Sequence, residues 1–213
     1  MIGIVDYGAG NLLSVMNAME YLNVECRLVR SVEDTKGLHG LILPGVGAFE
    51  PAMNMLRSKK LDKAILAWFA KDKPFLGICL GLQLLFERSE EAPGVNGLGL
   101  LKGDVVKFKG ERVPQIGWNR VAVKRGSRLL AGTGRNQFYY FLHSYYITPK
   151  EKGIVSATTD YGIQYASAIE KGNALAVQFH PEKSGDAGLK LLSGWVKMCA
   201  SHAKRAKAGP GGG

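Results

Sequence analysis

The segment Pro74-Phe75-Leu76-Gly77-Ile78-Cys79-Leu80-Gly81 restricts the fold of this chain more than any other. An apolar run enters Cys79, and Leu82-Gln83-Leu84-Leu85-Phe86-Glu87-Arg88 leaves it with helix-like spacing. Glycine two residues either side of the cysteine lets the backbone bend sharply and lets another group approach it closely. Strand, tight bend and helix is the geometry that raises one side chain above the edge of a sheet. A thiol held there faces a helix N-terminus, which favours its nucleophilic, anionic form. The bend therefore points to hydrolytic or acyl-transfer chemistry.

The rest of the first half repeats that unit. Short apolar runs at residues 2–7, 25–29, 40–43 and 75–79 read as strands. Between and after them, 11–22, 51–57, 60–71 and 81–90 read as helices, with Leu12, Val15, Met16 and Met19 on one face of the first. Such alternation predicts an α/β fold with an open, mostly parallel sheet flanked by helices. The second half adds short strand candidates at 103–108, 120–123, 137–142, 145–148, 154–159, 167–171 and 174–178, several of which should pair antiparallel. A helix over 189–203 closes the chain. No linker divides the halves, so residues 1–203 read as one domain and the basic, Gly-rich residues 204–213 as a disordered tail, native or appended.

In an open parallel sheet, ligands sit at the carboxyl ends of the strands. Cys79, Gly45-Val46-Gly47 and Tyr7-Gly8-Ala9-Gly10-Asn11 all fall there. A cysteine nucleophile needs a base and a group that orients it. Of the 4 histidines, His39 lies in a polar turn and His202 in the basic tail. His180 ends an apolar run and is followed by Pro181 and Glu182. If that segment is extended, residues 180 and 182 share a side, and the carboxylate can fix the imidazole tautomer. The developing oxyanion needs N–H donors. Leu80 supplies one candidate, and Gly45-Val46-Gly47 supplies another if a peptide there flips.

Composition narrows the remaining classes. The 3 cysteines, Cys26, Cys79 and Cys199, form neither a disulfide framework nor a metal-ligand spacing, and fit a reducing, cytoplasmic setting. Cys26 and Cys199 read as buried, inert thiols. No apolar run reaches membrane-spanning length, and the N-terminus reads as a strand rather than a secretory signal. The net charge of +10 lies partly in Lys204, Arg205 and Lys207. The remainder is dispersed without interleaved aromatics, which argues against nucleic acid and for a solvated surface or an acidic protein partner.

The bend cysteine and His180-Pro181-Glu182, in that order and spacing, resemble the class I (triad-type) glutamine amidotransferases. Further segments are similar to one branch, the glutaminase subunits of imidazole glycerol phosphate synthases. These are residues 6–11, Pro44-Gly45-Val46-Gly47-Ala48-Phe49, Pro114-Gln115-Ile116-Gly117-Trp118-Asn119, His143-Ser144-Tyr145 and Lys183-Ser184. The resemblance runs from Met1 to about Met198 and implies a flavodoxin-like sheet. It implies that Cys79 attacks the amide carbon of glutamine, that His180 moves the proton and that Glu182 orients His180. It places Gln83, Glu91, His143, Ser144 and Tyr145 around the substrate, and implies no cofactor or metal. It also implies a heterodimer with a (β/α)8-barrel synthase subunit that receives the ammonia, contacted by Asn11, Trp118, Tyr140 and Lys183, and activation through reorientation of Gly45-Val46-Gly47. Trp118, in an expected Gly-Trp-Asn turn, suits an exposed anchor. Glutaminases serving anthranilate, guanylate or pyridoxal phosphate synthesis share the Cys79 and His180 motifs. The Tyr7-to-Asn11 and Gly117-Trp118-Asn119 segments argue against them.

Overall fold

Four-residue strands that are apolar at every position must be covered on both faces. The computed structural model, which describes residues 1–134 and 136–208, covers them with helices on each side. The first half contains β1 (Ile2–Val5), α1 (Leu12–Tyr21), β2 (Cys26–Val29), β3 (Gly40–Leu43), α2 (Phe49–Ser58), α3 (Leu61–Ala70), β4 (Phe75–Ile78) and α4 (Leu80–Gln83). The second contains β5 (Arg88–Ser89), β6 (Gly103–Lys107), β7 (Gln115–Val123), β8 (Asn136–His143), β9 (Tyr145–Pro149), β10 (Val155–Tyr161), β11 (Ile163–Lys171), β12 (Ala174–Val177) and α5 (Gly185–Ala208).

Successive strand residues point to opposite faces, so each strand feeds two cores. Ile4, Ile42, Leu76, Ile78 and Val177 pack with Val15 and Met19 of α1 and Leu191, Leu192 and Trp195 of α5. Leu41, Leu43, Phe75 and Ala176 pack with Phe49, Met53 and Leu56 of α2 and Leu61, Ile65 and Trp68 of α3.

Among the described residues, the main path of the sheet runs β2-β1-β3-β4-β12-β11-β10-β7-β8. The pairs from β2 to β12 are parallel, and those from β12 to β8 antiparallel. A branch of β5, β6 and β9 joins at Ala166↔Ile147. The chain leaves β1 for one neighbour, β2, and returns on its other side as β3. That reversal is a switch point, where the carboxyl ends of adjacent strands open a crevice. The ends of β1, β3, β4 and β12 consequently lie side by side.

Three expectations are corrected. The helix expected over 81–90 is only Leu80–Gln83. The carbonyls a longer helix would use are taken by a later segment: Leu98, Leu101, Gly99 and Gly97 donate to Leu84, Leu85, Phe86 and Glu87. The Gly-Trp-Asn segment is strand rather than turn. β7 begins at Gln115 and pairs in register with β8 from Gln115↔His143 to Ala122↔Asn136. Long-range pairing overrides the turn signals of Pro114 and Gly117. Of the two thiols read as buried, Cys199 is buried, whereas Cys26 is half-buried on a sheet-edge strand. Burial raises them to about 12 and about 11, so neither is reactive at neutral pH.

The closing helix starts earlier and runs later than 189–203, reaching Ala208. Residues 209–213 of the expected tail lie outside the described residues. No helix among the described residues is long and apolar enough to cross a membrane.

Candidate active site

Cys79 sits between β4 and α4 at φ +53°, ψ −109°. A side chain in that region costs on the order of 1–3 kcal/mol and persists only where the surroundings impose it. Here they do. The Cys79 N–H donates to the Val177 carbonyl at 2.8 Å, and its own carbonyl accepts from Leu82 and Gln83 at 3.0 and 3.3 Å. The bend is pressed against the end of β3. A Cβ on Gly81 would overlap the Leu43 carbonyl, and one on Gly45 would lie 2.7 Å from Leu80 Cβ. Gly81→Ala is expected to lower unfolding stability by roughly 1–3 kcal/mol, the cost of overpacking a rigid site. Denaturant unfolding checks this, and an unchanged midpoint would mean the bend is not held in this way.

Above Cys79 lies a cleft of about 210 Å³. Val46, Gly47, Leu80, Gln83, Glu91, His143, Ser144 and Tyr145 line it together with Cys79. Gly45 instead packs behind the bend, against Leu80, Gly81 and the Tyr7 hydroxyl. Leu80 is the first residue of α4, so its N–H has no partner within the helix. Gly47, exposed at φ +100°, gives the facing loop a left-handed hinge. Glu91 Oε2 accepts the Phe49 N–H at 2.9 Å, which ties the acidic wall to the start of α2.

His180 and Glu182 meet as expected, but for a different reason. The chain turns into a short 3-10 helix at Pro181–Lys183. That turn, rather than strand alternation, brings Glu182 Oε1 to 2.8 Å from His180 Nδ1. The His180 backbone is held at both ends: its N–H donates to the Tyr140 carbonyl at 2.9 Å, and its carbonyl accepts from Ser184 Oγ at 2.6 Å. Both side chains are 1% exposed. Glu182 Oε2 and His180 Nε2 have no hydrogen-bond partner of good geometry. Burial pulls the imidazole pKa down. The charge and hydrogen bonding of Cys79, and then those of Glu182, outweigh it and raise His180 from 6.5 to about 10. A buried carboxylate with a single partner favours imidazolium beside it.

His143 is held in the opposite state. Burial drives it from 6.5 down to about 4. It is therefore neutral at physiological pH, with Nδ1–H donating to the Tyr145 carbonyl at 2.8 Å. Its Nε2 lies 3.3 Å from the Tyr165 hydroxyl, which is also 2.9 Å from the Gln115 amide. One hydroxyl proton cannot serve both acceptors. Turning the Gln115 amide lets its otherwise unpartnered NH2 donate to Tyr165, which then donates to His143.

The four residues expected at a partner surface lie beside this site. Trp118 is 56% exposed and meets Tyr140 edge-on at 6.3 Å between ring centroids. Lys183 Nζ stands 5.9 Å over the Tyr140 ring, and the His180 ring lies 6.5 Å from it between centroids. Asn11 precedes α1 at the end of β1 and is half-buried.

Sequence reasoning missed Gln178, Tyr165 and Gln115. Gln178 is fully buried, with Nε2 3.6 Å from Cys79 Sγ and Oε1 3.2 Å from Gln83 Nε2. Its signal was a lone amide inside the apolar run before His180. Gln115 lies in the family-like segment from Pro114 to Asn119, but only the folding of β7 and β11 brings it and Tyr165 to His143, and Tyr165 carries no local signal.

Comparison with known proteins identifies the family. Residues 3–197 match the family described as "Glutamine amidotransferase class-I". The chain is 44% identical over 199 residues to "Imidazole glycerol phosphate synthase subunit HisH" of Caldanaerobacter subterraneus subsp. tengcongensis, covering 93% of this chain and 98% of that one. It is 46% identical to "Imidazole glycerol phosphate synthase hisHF, chloroplastic" of Arabidopsis thaliana, covering 90% of this chain and 33% of the plant protein. A solved "glutamine amidotransferase" superposes with a TM-score of 0.75 at 21% identity over 93% of this chain and 98% of its own, a likeness of fold. The chain belongs to the class-I glutamine amidotransferases and, within them, to the HisH subunits of imidazole glycerol phosphate synthase.

Proposed function

We propose that this chain is the glutaminase of a two-subunit imidazole glycerol phosphate synthase, with Cys79, His180 and Glu182 as its triad. The observation that carries the reading is the wholly buried His180–Glu182 pair, 2.8 Å apart, set beside a strained cysteine at the floor of a cleft. The Cys79 thiolate attacks the side-chain amide carbon of glutamine. The oxyanion is received by the Leu80 N–H and by an N–H of the Gly45-Val46-Gly47 loop after that loop reorients. The His180 imidazolium gives its proton to the departing nitrogen, and ammonia leaves. A thioester remains on Sγ. Water, deprotonated by His180, cleaves it to glutamate and restores the Cys79 thiolate beside the His180 imidazolium. Gln83, His143, Ser144 and Tyr145 shape the pocket, and the Glu91 carboxylate holds the substrate ammonium.

Ammonia passes to a separate (β/α)8-barrel subunit, where it enters imidazole glycerol phosphate with release of aminoimidazole carboxamide ribotide. The plant relative supports a two-part enzyme, because the matched segment is one third of its length. Asn11, Trp118, Tyr140 and Lys183 form the docking surface, and Tyr140 links it to His180 by direct ring contact. The amidotransferase domain is residues 1–203, with α5 continuing to Ala208, the setting is cytoplasmic, and neither nucleic acid nor membrane is a partner. Three free thiols suit that compartment.

The test is glutamate release by the chain alone, with the barrel subunit, and with the barrel subunit plus its nucleotide ligand. Activity should be low alone and rise at least about tenfold in the full mixture, the equivalent of about 1.4 kcal/mol at the barrier. Full activity in isolation, or stable assembly with a different synthase, would overturn the reading. Trp118→Ala should weaken assembly by about 2 kcal/mol, roughly thirtyfold in Kd, because a half-exposed tryptophan is the strongest anchor on this face. Titration calorimetry reads this directly.

A further inference from the structure

Cys79 Sγ lies within hydrogen-bond reach of two groups of opposite character. The Leu142 carbonyl oxygen is 3.7 Å away, and Gln178 Nε2 is 3.6 Å away. The carbonyl can only accept, so it favours the S–H form. The amide N–H can only donate, so it favours the thiolate. α4 spans four residues, and so short a helix contributes little dipole of its own.

Which atom of Gln178 faces the sulfur follows from a chain of requirements. The Tyr145 carbonyl can only accept, so the Gln83 atom 2.9 Å from it must be Nε2. The same nitrogen lies 3.2 Å from Gln178, so the Gln178 atom there must be the acceptor Oε1. The remaining atom, turned to the sulfur, is therefore Nε2. Tyr145 carries this load while also accepting from His143 Nδ1. Gln83 and Gln178 are both buried, so solvent does not relax the arrangement.

We propose that Gln178 is the fixed donor that holds Cys79 as thiolate, and that Gln83 is a positioning residue that keeps the Gln178 amide in its donating orientation. This deepens the glutaminase reading and rests on it for the role of Cys79. The other titratable groups facing the sulfur act differently. His180, backed by Glu182, supplies a countercharge that titrates. The Tyr7 hydroxyl after β1 is committed to the Pro44 carbonyl at 3.2 Å. The Tyr165 hydroxyl on β11 is committed to Gln115 and His143. His143 is neutral, and Glu91 stands on the cleft wall. Gln178 differs in being a donor at every pH.

The experiment is alkylation of Cys79 by iodoacetamide across about pH 5 to 10, followed by peptide mass spectrometry without glutamine, on wild type, Gln178→Leu, Gln178→Glu and Gln178→Asn. Removing a hydrogen bond to a charged group should slow alkylation at neutral pH about ten- to a hundredfold, with recovery at alkaline pH. Gln178→Glu should be slower than Gln178→Leu, because its carboxylate repels the thiolate. Gln178→Asn, shorter by one methylene, should shift in the same direction and serves if Gln178→Leu fails to fold. With the partner present, kcat should fall by a matching factor at neutral pH and recover at alkaline pH, while KM moves little. Superimposable alkylation profiles would overturn the proposal. So would an activity loss equal at every pH, which is the mark of a merely structural role. Alkylation uses no glutamine, so failure of wild type to hydrolyse glutamine would sink the substrate reading and leave the donor assignment standing.

Discussion

Cys79→Ala is expected to abolish glutamate release, a loss of roughly four to six orders of magnitude, and to leave binding of the proposed barrel subunit unchanged. The size follows from what is removed. Every covalent step of the proposed cycle passes through Sγ, and no other side chain on the cleft wall can replace it. His143 is neutral and hydrogen-bonded inward, and Ser144 has no base assigned to it. What survives is binding and whatever the oxyanion donors achieve with water. Folding should survive, because alanine keeps the Cβ and deletes one buried atom from a cleft wall. Partner affinity should survive, because the proposed docking residues Trp118, Lys183 and Asn11 do not line the cleft. The measurement pairs glutamate release with partner present against calorimetric affinity. Hydrolysis above about one hundredth of wild type would sink the triad mechanism.

Glu182→Gln should give the second large effect, a fall in kcat of about 10²- to 10⁴-fold. Glutamine preserves shape and can still accept from His180 Nδ1–H, but it no longer supplies charge. The sign of the pH effect follows from His180. Its pKa lies near 10 rather than 6.5, despite burial, because Cys79 and Glu182 favour the charged ring. Removing one anion leaves burial less opposed, so the pKa falls. The alkaline limb of kcat/KM should then move to lower pH, since His180 must carry a proton to release ammonia. Stability follows the same linkage. A raised histidine pKa contributes stability that is fully present below 6.5 and is lost as pH rises through about 10. The stability advantage of wild type over Glu182→Gln should therefore narrow across that window. A flat difference in urea unfolding between those limits would show that the pair is not charged.

Much of this site can be read along the chain because its parts are local. Glycines flanking Cys79 are visible as spacing, and the structure gives each a reason, with Gly81 seated on the Leu43 carbonyl. His180 and Glu182 are two residues apart, so any compact turn brings them together. The expected extended segment was in fact a 3-10 turn, yet the pair still formed. Strand–helix alternation likewise marks the parallel half, since short apolar strands between amphipathic helices have few other ways to be covered.

What escaped local reading shares one physical cause: competition from distant backbone. Leu84-Leu85-Phe86 has helical spacing, but carbonyls that would close a helix accept N–H groups from Leu98 to Leu101 instead. Pro114 to Asn119 carries turn chemistry, but pairing with β8 makes it strand and presents Trp118 across from Tyr140. Residues 79 and 83, 143 and 145, and 178 come from three separate stretches, brought together by the β4–β12 pairing and by the Gln83 bond to the Tyr145 carbonyl. The sequence by itself determined the Cys79 bend, the His180–Glu182 pair proposed to serve it and the sheet that carries them, because short-range geometry and hydrophobic period suffice for those. Tertiary structure alone decided the amide chain from Tyr145 through Gln83 and Gln178 to the sulfur. Hydrogen-bond direction between residues some hundred positions apart depends on which atoms burial brings face to face, and no local pattern encodes it.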